Sequence, residues 1–281
     1  MTMHSARMAV SLLLLAGVSA TAPSEREKEA ELGKQLAEEF RRHTTKIDNP
    51  VVQTFLDRLG QRLAAQMPEA RFPFTFSTVA DDPCSITHEP STLPGGYVFV
   101  PSSLFLAAEN EGEFAAMLAH AMEHIVRRHG MREFAQGTVA PDSRLLNTNS
   151  SSMPIVFMGG FRGICSGAVP LAFRSSQRSN ELKADSLAIQ TLAHAGFDPG
   201  ALVRYIERVQ LPSAKMDGYA VLPPRDQRAA AILAAIGQLG PVVHAAGSPD
   251  DFAGVQHEVR VLSESPVRRE EPPSLKRKTS N

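Results

Sequence analysis

The chain has 281 residues, 43% of them hydrophobic, with 29 basic against 30 acidic side chains. That length supports one large domain or two small ones around a real core, and the near-cancelling charge excludes a global field that would steer nucleic acid or an anionic membrane to the surface. Trp is absent and Tyr occurs three times, which removes the usual stacking platform of a carbohydrate binder.

At the N-terminus, His4 and Arg7 precede an apolar run from Met8 to Val18, with the small residues Ser19 and Ala20 behind it. This is the pattern of a secretory signal peptide over residues 1–20. The run is too short to span a bilayer comfortably, so a retained anchor is the lesser alternative. An exported chain would be periplasmic or secreted, and Cys84 and Cys165 could pair there or stay as two separate buried thiols. A domain over residues 24–262 would follow, then a tail over 263–281 whose Ser, Pro, Lys, Arg and Glu predict disorder.

Ser24 to Phe40 is charged and helix-prone. Asp48, Asn49 and Pro50 break the chain and start a second helix, with Val52, Phe55, Leu56, Leu59 and Leu63 on one face. Phe72, Phe74 and Phe76 alternate with other residues, which predicts a strand with one buried face. Residues 81–93 hold two prolines and read as a loop, and a second strand, GYVFV, follows the turn at Pro94 to Gly96.

Glu111 to Met131 reads as a single helix, with Gly130 as its left-handed terminator and Phe114, Met117, Leu118, Ala121 and Ile125 forming a core stripe. Beside that stripe sit His120 and His124. An i,i+4 pair lies one turn apart on one face, so both imidazoles can reach one metal ion, which is zinc-ligand spacing. Residues 137–173 have no clean period and suit a lid, a binding loop or disorder. From Gln177 to Gly196 the chain is helical again, with Glu181 and Asp185 four apart. A zinc peptidase needs three protein ligands and one open position. Glu181 fits the third ligand, and Asp185 fits an acceptor for the outward N–H of a ligand histidine. Read without the histidines, the two acids are simply the exposed face of a charged helix. Arg204, Glu207 and Arg208 decorate a further short helix, a Pro-rich loop leads to Arg228 and an Ala-rich helix, and Asp250 to Leu262 forms a last amphipathic piece.

In order along the chain, ELGKQLAEEF, LGQRLA, LPGGYVFV, LAHAMEHIVRRH and RSNELKADSLAIQTLAHAGFDP resemble the gluzincin metallopeptidases that include HtpX, BepA, the Oma-type mitochondrial proteases and the CAAX prenyl protease. The likeness runs from Glu29 to about Leu262. It is similar to the exported BepA-like branch, because the membrane spans of HtpX and the prenyl protease are missing. The resemblance implies an α+β, mostly helical, zincin-like fold with a small sheet beside the active-site helix. It also implies one zinc per chain on His120, His124 and Glu181, with Asp185 behind them. Gly96, Tyr97 and Val98 would form an edge strand that aligns substrate as an added strand. Substrates would be unfolded or envelope proteins, with peripheral membrane association left open and no nucleic-acid partner.

The chain departs from the family pattern in three places. The motif His-Glu-x-x-His has Ala121 at its carboxylate position. A His-Pro motif before an Arg becomes Leu222-Pro223, with Arg228 retained as a candidate catalytic group. THEPSTLPGG replaces an Asn-Ala stretch before the Pro-Gly-Gly turn. HAMEH also reads in inverted order as His-x-x-Glu-His, which makes Glu123 a candidate displaced base. Helix geometry argues against that, since Glu123 points away from the stripe and is spaced for an ion pair with Arg127. Two functions follow: an endopeptidase with impaired chemistry, or a zinc-binding pseudo-peptidase acting as a chaperone or adaptor.

Overall fold

Helix α1 (Glu25–His43) starts at a capping box, in which Ser24 Oγ accepts from Glu27 N while Glu27 Oε2 accepts from Ser24 N at 2.6 Å. Helix α2 (Pro50–Ala64) starts at Asn49, whose side chain accepts from the Val51 and Val52 amides. These contacts come from a computed structural model that describes residues 23–80, 88–135, 171–210, 222–240 and 251–264. The signal-peptide pattern, both cysteines, residues 137–170 and the tail beyond Glu264 lie outside the described residues.

The sheet is small. Strands β1 (Thr75–Val79), β2 (Ser91–Leu93) and β3 (Tyr97–Pro101) lie in the order β1-β3-β2, with β1 parallel and β2 antiparallel to β3. Between β2 and β3, a single 3₁₀ turn at Pro94–Gly96 reverses the chain. Gly95 and Gly96 there have φ of 79° and 93°, and a Cβ on Gly96 would meet the Pro73 carbonyl oxygen at 2.1 Å. Gly33 of α1 approaches the same turn so closely that a Cβ would lie 1.9 Å from the Pro94 oxygen.

This topology corrects the expectation for Gly96, Tyr97 and Val98. Tyr97 and Val98 belong to the central strand, paired with Thr75 and Phe76 on one side and with Leu93 and Thr92 on the other. Their backbone groups are spent within the sheet. The outer side of β1 is also used, by Ile47 N donating to Thr78 O and Ala80 N to Thr45 O. Among the described residues, β2 carries the free edge.

Both faces of β3 are covered. Phe99 faces α1, where it stacks on Phe40 with ring centroids 4.2 Å apart, alongside Leu36 and Ala37. Val98 and Val100 face the main core with α2 and the long helix α4 (Glu111–Val126). Helix α3 (Ser102–Ala107) leads from β3 towards α4, which is capped by Asn110 accepting from Glu113 N. Every residue from Glu113 to Glu123 is buried, so α4 is enclosed on all sides rather than along one stripe. It packs against α6 (Leu171–His194) and α7 (Gly200–Val209), with α8 (Arg225–Ile236) behind them. Phe114 anchors α4 among Phe55, Phe105 and Phe252, the last from α9 (Asp251–Glu264). The fold is α+β and mostly helical. Among the described residues no helix is long and apolar enough to cross a membrane.

Candidate metal centre

The buried helix α4 presents His120 and His124 one turn apart, and α6 brings Glu181 to meet them. His120 Nε2 and His124 Nε2 are 3.2 Å apart, and the Glu181 carboxylate stands 3.2 Å from the first and 3.5 Å from the second. All three ligand atoms fall within 4.8 Å of one another. Asp185, one turn further along α6, sits with Oδ1 2.8 Å from His120 Nδ1. A proton on Nδ1 then leaves the Nε2 lone pair facing His124 and Glu181.

Arg228 of α8 closes the back of the centre. Its Nε and Nη2 donate to the two oxygens of Asp185 at 2.7 and 2.9 Å, and its Nη1 donates to Glu89 at 3.1 Å and Gln210 at 3.3 Å. Its Nη2 also comes within 3.5 Å of His120 Nε2. Arg228 is completely buried and does not line the cleft.

Electrostatics test whether a cation fits. Asp185, Glu181 and Glu89 gather around one guanidinium, a surplus of carboxylates that a divalent cation would balance. Glu181 Oε2 is buried and takes no hydrogen bond. Burial works against protonating His120, yet Asp185 and then Glu181 hold its pKa up at about 10. Burial pushes His124 down to about 4. Burial also opposes ionisation of Glu181 and Asp185, but the histidines beside Glu181, and Arg228 with His120 beside Asp185, keep both carboxyls below their usual range. Two imidazole nitrogens and a carboxylate at these distances are an N₂O donor set suited to zinc.

His129 was not anticipated. Helix α4 stops at Val126, five residues before the expected Met131, because Arg128 turns into the left-handed region at φ 54°. Its guanidinium is held by the buried Glu29 at 2.7 Å, a tertiary contact that offsets the strain. The chain restarts as α5 (His129–Ala135), and His129 Nδ1 reaches His124 Nδ1 at 3.1 Å. In one continuous helix the two rings would have pointed about 140° apart. Burial and the neighbouring His124 push His129 down to about 3, so it stays neutral and can accept the His124 Nδ1 proton.

Glu123 lies elsewhere. It is buried, Thr191 of α6 donates to it at 3.1 Å, and it does not line the cleft. Arg127 pairs instead with Glu69 at 3.0 Å. Ala121 does line the cleft, a space of about 70 Å³ bounded also by Glu29, Glu89, His120, His124 and Glu181. Burial raises the Glu89 carboxyl above its ordinary range, with Arg228 opposing and Glu181 adding to the rise.

Residues 49–245 match Peptidase family M48. The chain belongs to that family. It is similar to a putative beta-barrel assembly-enhancing protease of Vibrio cholerae, 32% identical over 183 residues that cover 63% of this chain and 36% of the relative. The beta-barrel assembly-enhancing protease of Yersinia pestis is 31% identical over 215 residues, 74% of this chain and 42% of the relative. That of Escherichia coli strain K12 is 24% identical over 214 residues, 69% and 40%. The chain thus spans less than half the length of these relatives. Within the M48 pattern, the missing motif carboxylate falls at Ala121, on the wall of the cleft that holds the convergent donors.

Proposed function

We propose that this chain is a zinc metalloendopeptidase of the cell envelope that cuts misfolded or misassembled proteins. The convergence of His120 Nε2, His124 Nε2 and the Glu181 carboxylate within 4.8 Å carries the reading. Zinc held there supplies Lewis-acid polarisation of the scissile carbonyl and lowers the pKa of water. Asp185 Oδ1 stands 2.8 Å from His120 Nδ1 and holds that ring by charge, while His129 Nδ1, 3.1 Å from His124 Nδ1, fixes the second ring. Arg228 keeps Asp185 ionised and aimed. The edge of β2 that is free among the described residues runs beside the cleft, where Thr92 and Leu93 join its lining, and suits a substrate taken as an added strand.

The envelope reading is supported by the N-terminal signal pattern and by relatives named for barrel assembly. A second reading, a zinc-binding pseudo-peptidase acting as chaperone or adaptor, is favoured by Ala121 at the motif's carboxylate position. Loss of a general base costs about 10² to 10⁴ in rate, which slows turnover without abolishing it. Degradation of unfolded casein by the zinc-loaded protein, with His120→Ala as the control, separates the two. The peptidase reading expects cleavage that the control lacks. Stoichiometric zinc with no cleavage would support the pseudo-peptidase.

A further inference from the structure

Among the described residues, three carboxylates line the cleft: Glu29, Glu89 and Glu181. Glu181 belongs to the convergent donors. Glu29 is committed to Arg128 at 2.7 Å and faces Arg71 at 3.6 Å. Glu89 is left, two residues before β2, and only 8% exposed. Its Oε1 accepts from Arg228 Nη1 at 3.1 Å, and Oε2 accepts no hydrogen bond among the described residues.

The guanidinium that grips Glu89 also grips Asp185 and comes within 3.5 Å of His120 Nε2. One rigid planar group therefore ties this carboxylate to the donor centre. Glu89 is not a member of the set whose ligand atoms lie within 4.8 Å of one another, which suits a group acting on a water rather than ligating. We propose that Glu89 is the proton-transfer residue of this peptidase, acting from the β2 side of the cleft where the usual motif would act from α4. The assignment rests on the metalloendopeptidase reading above.

The step balances. The oxygen of an attacking water bonds to the scissile carbonyl carbon while one of its protons passes to Glu89 Oε2. The C–N bond then breaks as that proton moves to the leaving nitrogen, giving a carboxylic acid and an amine and returning Glu89 as a carboxylate. Burial keeps Glu89 more basic than an ordinary carboxylate, which favours proton uptake from the attacking water.

The test compares the full zinc-loaded chain with Glu89→Gln and with Glu89→Gln plus Ala121→Glu. A quenched fluorescent peptide from casein is the substrate, and zinc per chain, peptide affinity and hydrolysis rate are read together. Gln keeps an oxygen for Arg228. The expected result for Glu89→Gln is unchanged zinc, unchanged peptide affinity and a kcat lower by about 10² to 10⁴-fold, with Ala121→Glu recovering at least about tenfold of it. A Glu89→Gln rate within about threefold of wild type overturns the assignment, and so does lost zinc, which would make Glu89 a ligand. A zinc-loaded wild type that cleaves nothing overturns it too, leaving the metal centre intact. A wild type without zinc sinks the metal reading itself. Should Glu89→Gln not fold, Glu89→Asp withdraws the charge by one methylene and should lower kcat by about tenfold or more at unchanged KM, and an unchanged kcat refutes the role.

Discussion

The cleft has two walls that arise by different rules. On the α4–α6 wall, His120, His124, Glu181 and Asp185 face one point because a helix repeats its direction every turn, and two i,i+4 pairs on packed helices need only one correct crossing. On the other wall, Glu89, Pro90, Thr92 and Leu93 face the same space through a short strand and a Pro-Gly-Gly turn held by long-range packing. Glu123 sits inside the motif and faces Thr191, away from the cleft, whereas Glu89 sits outside any motif and lines it.

Arg228 joins the two walls, so its loss should have the largest effect. Arg228→Met leaves Asp185 and Glu89 buried without their cation and should cost about 3–5 kcal/mol, measured by urea unfolding. A cost below about 1 kcal/mol would mean that the walls are joined by something else. Gly33→Ala strikes the second wall alone. Its new methyl meets the Pro94 carbonyl and should cost about 1–3 kcal/mol in thermal unfolding, with zinc content unchanged. Asp185→Asn strikes the first wall, and zinc affinity should fall about 10 to 100-fold in a chelator competition. Glu123→Gln should be smallest, because Thr191 can still donate to the amide oxygen. Hydrolysis should stay within about twofold, and a collapse of activity would return the proton-transfer role to α4.

What the sequence made legible follows the same divide. The α2 face of Val52, Phe55, Leu56, Leu59 and Leu63 and the i,i+4 spacings within α4 and within α6 are local periodicities, whereas the meeting of those two helices is a long-range contact that only the family resemblance implied. The end of α4 is not local. Its sequence offers Gly130 as the terminator, but the Arg128–Glu29 ion pair joins residues far apart in the chain and moves the break upstream. That break alone brings His129 to His124, so no spacing rule could have found it. Strand order is likewise a long-range outcome. GYVFV was readable as a strand, but its central position depends on pairing with both β1 and β2. Glu89 carried one faint signal, an acid in the stretch where the family's Asn-Ala is replaced, and only the packing of Arg228 gives it meaning.

Elemental analysis of zinc in the purified wild-type chain and in His120→Ala bears most directly on the central claim, that α4 and α6 together hold one metal ion. The wild type should carry one zinc per chain and the variant essentially none, both folded by circular dichroism. A folded wild type with no zinc after equilibration with the metal, or a variant that retains the wild-type amount, would contradict the account.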